Sequence, residues 1–224
     1  MKEKAETIMK RIMVAVPTRE YIDVDSEKCI RKLERDSWLN NGIQLDVEMI
    51  PGTIIHDLRY SLAEIAIKNK YDYILWIDSD MVFESTVLYD LLEADKDIVS
   101  AVCYMRRAPY EPCIYQKMRM GATLEEDQIE KYLDFPDGVF EVEACGLAMC
   151  LMKVVVLEDI ILKTGQPFFP VKSDHRTLGE DLSFCFNARK SGHKVWATSK
   201  PKVGHIGKAI IDRDTYNTLR RRNG

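Results

Sequence analysis

Apolar positions along this chain follow two alternating patterns. Uninterrupted short runs at 12–16 (IMVAV) and 73–77 (YILWI) suit strands buried on both faces of a parallel sheet. Residues 43–50 alternate like a strand up to Pro51-Gly52, and 98–104 and 194–198 read as further strands. Between them the spacing is helical. Residues 26–37 carry Ile30 and Leu33 among charges, and Leu58, Leu62, Ile65 and Ala66 form a stripe with Arg59, Glu64, Lys68 and Lys70 on the other sides of the helix. Ser85 or Thr86 is placed to cap a helix carrying Leu88, Leu91 and Leu92. Two more helices, at 153–163 and 180–190, stop at Gly165 and Gly192. Only 105–140, with Pro109, Pro112, Pro136 and the acids Glu125, Glu126, Asp127 and Glu130, loses the pattern and reads as an excursion over the sheet.

Strands alternating with helices predict an α/β fold with a mainly parallel, mixed sheet flanked by helices. In such sheets ligands bind beyond the carboxyl ends of the strands. With 224 residues, 46% of them hydrophobic, the chain suffices for one well-buried domain, expected to span 1–224 with its core at about 12–207. The 32 basic and 36 acidic residues leave a net charge of −4, which argues against nucleic acid as a partner. The six cysteines form no C-x-x-C pair and read as reduced core residues. The longest apolar run, 146–157, contains Lys153 and falls short of a membrane span, so a cytoplasmic protein is expected. Arg220, Arg221 and Arg222 read as solvated charges.

The chemistry collects where YILWI ends in Asp78-Ser79-Asp80. If the chain stays extended, the two carboxylates share a face and Ser79 opposes them. Paired hard oxygen donors suit Mg²⁺ or Mn²⁺, which keep open positions for substrate phosphates. Taken alone, the motif also fits two surface acids starting a turn.

In this setting the D-x-D resembles that of nucleotide-sugar glycosyltransferases of the GT-A fold, especially glycosyltransferase family 2. Three further segments occur in the matching order. Pro17-Thr18-Arg19 closes the first strand as the family's nucleotide-contacting turn does, and Arg59 matches an arginine beside the nucleotide. The segment 145–153 (CGLAMCLMK) is similar to the one along the donor and acceptor pocket, where Gly146 lets backbone approach a ligand closely. Leu178-Gly179-Glu180-Asp181, with the helix and strand after it, resembles the x-E-D segment. Finally Gly204-His205-Ile206-Gly207 is similar to the family's carboxyl-terminal metal histidine. His56, His175 and His193 match no such position, although His175 precedes Glu180 and could face an acceptor.

The resemblance implies a single-domain, Rossmann-like GT-A fold and transfer of a sugar from a nucleoside diphosphate donor, UDP-linked, to an acceptor hydroxyl with inversion. The implied cation is Mn²⁺ or Mg²⁺ on Asp78, Asp80 and His205. Asp181 is the implied general base, with Glu180 orienting the acceptor. Pro17, Thr18, Arg19, Arg59, Asp78, Ser79 and Gly146 are the implied donor contacts. The acceptor, whether glycan, lipid or protein, is unassigned, as are Arg106 and Arg107 in the variable 105–140 region.

Three other readings differ in checkable ways. A haloacid-dehalogenase-type phosphatase begins its domain with the D-x-D strand, whereas here two strand-helix units precede it. A sugar nucleotidyltransferase needs a glycine-rich loop where this chain has Val16-Pro17-Thr18-Arg19-Glu20. A non-catalytic nucleotide-sugar binder would lack a base or a metal ligand.

Overall fold

The computed structural model describes residues 9–40, 43–121 and 123–207; the arginines at 220–222 lie outside them. The chain runs β1 (Arg11–Thr18), α1 (Val24–Asn40), β2 (Gln44–Pro51), α2 (Ile55–Lys68), β3 (Tyr73–Ile77), β4 (Met81–Phe83), α3 (Val87–Glu93) and β5 (Ile98–Ala101). It continues through β6 (Ile114–Arg119), a 3₁₀ turn at Leu124–Glu126, β7 (Gln128–Lys131), β8 (Val139–Val142), β9 (Ala144–Cys145) and β10 (Met149–Lys153). The last elements are α4 (Val154–Thr164), α5 (Glu180–Lys190), β11 (Val195–Thr198) and β12 (Val203–His205).

Seven strands form the central sheet in the order β2-β1-β3-β10-β5-β11-β8. β1 runs parallel to β2 and β3, and β11 parallel to β5; β10 is antiparallel to β3 and β5, and β8 to β11. This is the α/β fold with a mainly parallel, mixed sheet that the alternating pattern predicts. One face is covered by α2, α4 and α5, where Leu62, Leu157 and Phe184 pack around Trp76; on the other, Ile30 of α1 and Leu88 of α3 pack on Val14 and Leu75. β1 and β3 are buried along nearly their whole length, which is why both are apolar without alternation.

Gly165 and Gly192 end α4 and α5 with φ of +77° and +94°, conformations that cost glycine little. Three expectations change. Neither Ser85 nor Thr86 caps α3: Thr86 makes no cap hydrogen bond, and the Ser85 hydroxyl donates to Asp36 at 2.6 Å. Strand β5 ends at Ala101, although Tyr104 still bridges Pro112. Within 105–140 lies regular structure, since β6 and β7 join β9 in a second, antiparallel sheet. Of β6 only Ile114 and Met118 reach the core, and β7 alternates between exposed and half-buried positions without a fully buried one, so neither strand shows a run of apolar residues.

Asp127 is the tether of this excursion. Its carboxylate is buried, accepts from the Gly121 N–H at 2.9 Å, and meets Arg176 at 2.5 Å and His175 at 3.4 Å. Desolvation alone would raise its pKa, but these donors outweigh it and hold the group below the usual carboxylate range. The excursion is thereby latched to the loop that leads into α5.

Candidate functional site

β3 delivers Asp78 to the carboxyl end of the sheet, and there the chain turns at once. The Met81 N–H bonds back to the Asp78 carbonyl at 3.3 Å, so Asp78, Ser79 and Asp80 form a turn between β3 and β4. The premise of extended chain with both carboxylates on one face fails for that reason. Asp78 and Asp80 point to different partners.

Asp78 Oδ1 accepts from Arg59 Nη2 at 2.8 Å. The same guanidinium has its Nε 3.6 Å from Glu180 Oε1 at the start of α5, and lies over the Trp76 ring at 5.4 Å. Arg59 belongs to the buried side of α2 beside Leu58 and Leu62, with a relative exposure of 2%, and is not on the solvated side its spacing suggested. Burial would lower its pKa, yet the field of Asp78, Glu180 and Asp181 more than compensates and keeps it charged. Nε and Nη1 are buried without a hydrogen-bond acceptor, so the guanidinium is held by charge more than by saturated hydrogen bonding.

Asp80 faces the opposite way. Its Oδ1 lies 3.1 Å from His205 Nε2, while Oδ2 pairs with Arg106. β12 brings His205 there by pairing antiparallel with β4, placing His205 opposite Met81, and the Ile206 N–H bonds to the Asp80 carbonyl at 2.8 Å. His205 Nδ1 is 3.1 Å from the Tyr104 carbonyl. Both ring nitrogens thus face acceptors, Nδ1 the Tyr104 carbonyl and Nε2 the Asp80 carboxylate, which favours the doubly protonated ring; the Nε2 proton must leave before that nitrogen can serve as a ligand atom. The Asp80 carboxylate raises the His205 pKa, and His205 and Arg106 lower that of Asp80 against the opposing effect of burial.

The donor set of Asp80 and His205 is of the kind that Mg²⁺ or Mn²⁺ accepts, with remaining positions for phosphate oxygens and water. Among the described residues no group of three His, Cys, Asp or Glu side chains converges on a metal position. The structure therefore brings together two of the three metal residues expected from sequence and turns the third, Asp78, onto Arg59.

Asp181 enters from the start of α5. Its Oδ1 accepts from the Leu182 N–H at 2.7 Å, and a Cβ added at Gly146 would sit 3.7 Å from its Oδ2 and 3.3 Å from the Cys113 Cβ. The β9–β10 turn thus passes Asp181 at van der Waals distance, and a side chain at Gly146 would press first on Cys113. Desolvation first, then the charge of Glu180, pushes the Asp181 carboxyl up to about 6. It is an ionised base at neutral pH with proton affinity well above that of a surface carboxylate.

The remaining sequence candidates lie at the ends of β1 and β3. Pro17 and Thr18 are buried at the end of β1, with the Thr18 hydroxyl donating to the Tyr21 carbonyl at 3.2 Å, and Arg19 is exposed just beyond. Ser79 contributes its carbonyl, which accepts from the Asp23 N–H at 2.9 Å and ties the D-x-D turn to the start of α1. The residue sequence reasoning left unassigned is Arg106. Its only signal was its place, with Arg107, in the variable 105–140 region.

All six cysteines are free thiols. Cys145 and Cys185 lie 4.0 Å apart, sulfur to sulfur, in the core behind Gly146. A cavity of about 630 Å³ opens at the opposite end of the sheet beside Lys10, Lys70, Tyr73 and Lys153 and contains none of the candidate residues. Among the described residues no helix is long and apolar enough to cross a membrane.

The family model for Anp1 matches residues 52–117, which include Arg59, the D-x-D turn and Arg106. No curated protein matches the chain. Among solved structures, A197 from STIV is similar with a TM-score of 0.59 and 19% identity, over 89% of this chain and 87% of that one. The inositol-1-phosphate CTP transferase from T. maritima aligns over 95% of this chain and 96% of its own at 12% identity and a TM-score of 0.45, too distant to carry any argument. What the chain shares with A197 is the fold.

Proposed function

We propose that this protein is a glycosyltransferase of the GT-A type that moves a sugar from a nucleoside diphosphate donor, UDP-linked, to an acceptor hydroxyl with inversion. One observation carries the reading. Arg59 joins the end of β3 to the start of α5 through Asp78 and Glu180, so that Asp181, next to Glu180, feels the charges of both Arg59 and Asp78. The partial match to Anp1, a family of mannosyltransferases, supports a transferase with a nucleotide-sugar-related fold.

In this mechanism Asp80 and His205 would hold Mn²⁺ or Mg²⁺, which would supply positive charge for the departing diphosphate. Pro17, Thr18, Arg19 and Ser79 border the nucleotide. Asp78 is oriented by its ion pair with Arg59 and contacts the donor from the β3 side. Asp181 takes the acceptor's proton as its oxygen attacks the anomeric carbon; its raised proton affinity favours that transfer, and the tight turn at Gly146 lets the reacting atoms come near. Glu180, fixed against Arg59, positions the acceptor side. The free thiols suit a reducing compartment, and a cytoplasmic setting is part of the proposal.

Thermal unfolding across UDP, GDP, CDP and their sugar conjugates, with and without Mn²⁺, tests the reading. A ligand at ~100 times its dissociation constant adds about 2.7 kcal/mol, a readable rise in Tm. No nucleotide-dependent shift with Mn²⁺ present, together with hydrolysis of a simple phosphomonoester, would replace the transferase by a phosphatase.

A further inference from the structure

We propose that Arg106 is a donor-binding residue that exchanges the Asp80 carboxylate for the donor's diphosphate. The inference rests on the glycosyltransferase reading and extends it to a residue outside the family's motifs.

A carboxylate has two oxygens, and both of Asp80's are engaged: Oδ1 faces His205 Nε2 at 3.1 Å and Oδ2 faces Arg106. A cation shared by Asp80 and His205 must therefore share that carboxylate with a guanidinium or displace it. With a divalent charge beside it, Arg106 loses its counter-charge and needs another anion. The diphosphate that accompanies the cation is an anion of matching geometry, since a guanidinium fork donates to two phosphate oxygens as readily as to two carboxylate oxygens.

The surroundings of Arg106 suit exchange. Its side chain is 53% exposed, so moving the tip costs little desolvation. Its backbone, by contrast, is fixed. The Met105 N–H bonds to the Glu111 carbonyl at 2.9 Å, Tyr104 bridges Pro112, and Lys131 pairs with Glu111 at 3.1 Å. Gly207 packs beneath, where a Cβ would stand 3.1 Å from the Arg106 carbonyl. The result is a rooted arginine with a mobile end, next to the atoms proposed to hold the cation.

The prediction has opposite signs for two ligands, which a purely structural ion pair would not produce. Titration of the full chain with Mn²⁺ alone, read by the loss of free-ion signal in electron paramagnetic resonance, should show Arg106→Gln binding the ion about 3- to 10-fold tighter than the parent, because a competing cation is gone. Titration with UDP at saturating Mn²⁺, read by calorimetry, should show the same variant binding about 10-fold more weakly. Arg106→Lys, which keeps the charge but not the fork, should fall between parent and Arg106→Gln in both. Unchanged UDP affinity in Arg106→Gln, or Mn²⁺ binding no tighter than in the parent, would overturn the role of Arg106. A parent that binds Mn²⁺ but none of UDP, GDP and CDP would overturn the transferase reading itself.

Discussion

The two carboxylates of one D-x-D motif, separated by a single serine, end in opposite surroundings. Asp78 meets an arginine with 2% of its side chain exposed, and Asp80 meets one with 53% exposed. The first pair is a brace. Removing either partner would strand a charge among Trp76 and the packed faces of α2 and α5, so Arg59, Asp78 and Glu180 are locked together. In the second pair Asp80 is partly buried but Arg106 reaches into water, where its side of the ion pair adds little and can be exchanged. One side of the motif is therefore built to stay and the other to respond, although the residue types are the same.

The sharpest way to break this contrast is to neutralise the brace. Arg59→Met leaves Asp78 and Glu180 without their shared cation and should lower unfolding free energy by about 3–5 kcal/mol, read by urea denaturation. A loss below 1 kcal/mol would place Arg59 in the same exchangeable class as Arg106.

Next in size is the base on the braced side. Asp181→Asn should reduce transfer by at least ~100-fold while leaving nucleotide affinity unchanged, measured by product formation and by calorimetry. The parent should gain activity as pH rises through about 6, where Asp181 loses its proton. Stability moves the other way: the folded chain holds this proton more tightly than the unfolded chain, so stability falls as pH rises from the ordinary carboxylate range to about 6. Asp181→Asn should abolish that fall, which denaturation at pH 4.5 and pH 7 would show.

A smaller effect is expected at the latch between the excursion and the loop before α5. Asp127→Ala removes the acceptor of the Gly121 N–H and the partner of Arg176, and should cost about 1–3 kcal/mol, with earlier proteolysis within 105–140 as the visible consequence. The smallest belongs to the exposed side. Arg106→Gln should change stability by less than about 0.5 kcal/mol in the same urea experiment. A loss as large as that of Arg59→Met would erase the difference between the two sides.

Much of the fold was legible because buried strands and amphipathic helices write their periods directly into the chain. The runs at 12–16 and 73–77 lie within β1 and β3, and the glycines at 165 and 192 end α4 and α5 as expected. The three-stranded sheet was hidden, because β6 buries only Ile114 and Met118 and β7 buries no residue fully, so neither strand carries a uniform apolar face. Arg59 was misplaced for a related reason: helical spacing orders residues by hydrophobicity, and a buried guanidinium looks like a solvated one until its partners on β3 and α5 are known.

The sequence by itself determined the alternation of buried strands and helices on either side of 105–153, the placement of Asp78 and Asp80 beyond a buried strand, and the acids that open α5. These depend on periods of a few residues. Tertiary structure alone decided that Asp78 and Asp80 part company, that His205 comes to Asp80 across 125 residues, and that Arg59 is buried while Arg106 is not. The partner of a charge is set by which groups share its surroundings in three dimensions. A turn of three residues after β3 was enough to give the two carboxylates different ones.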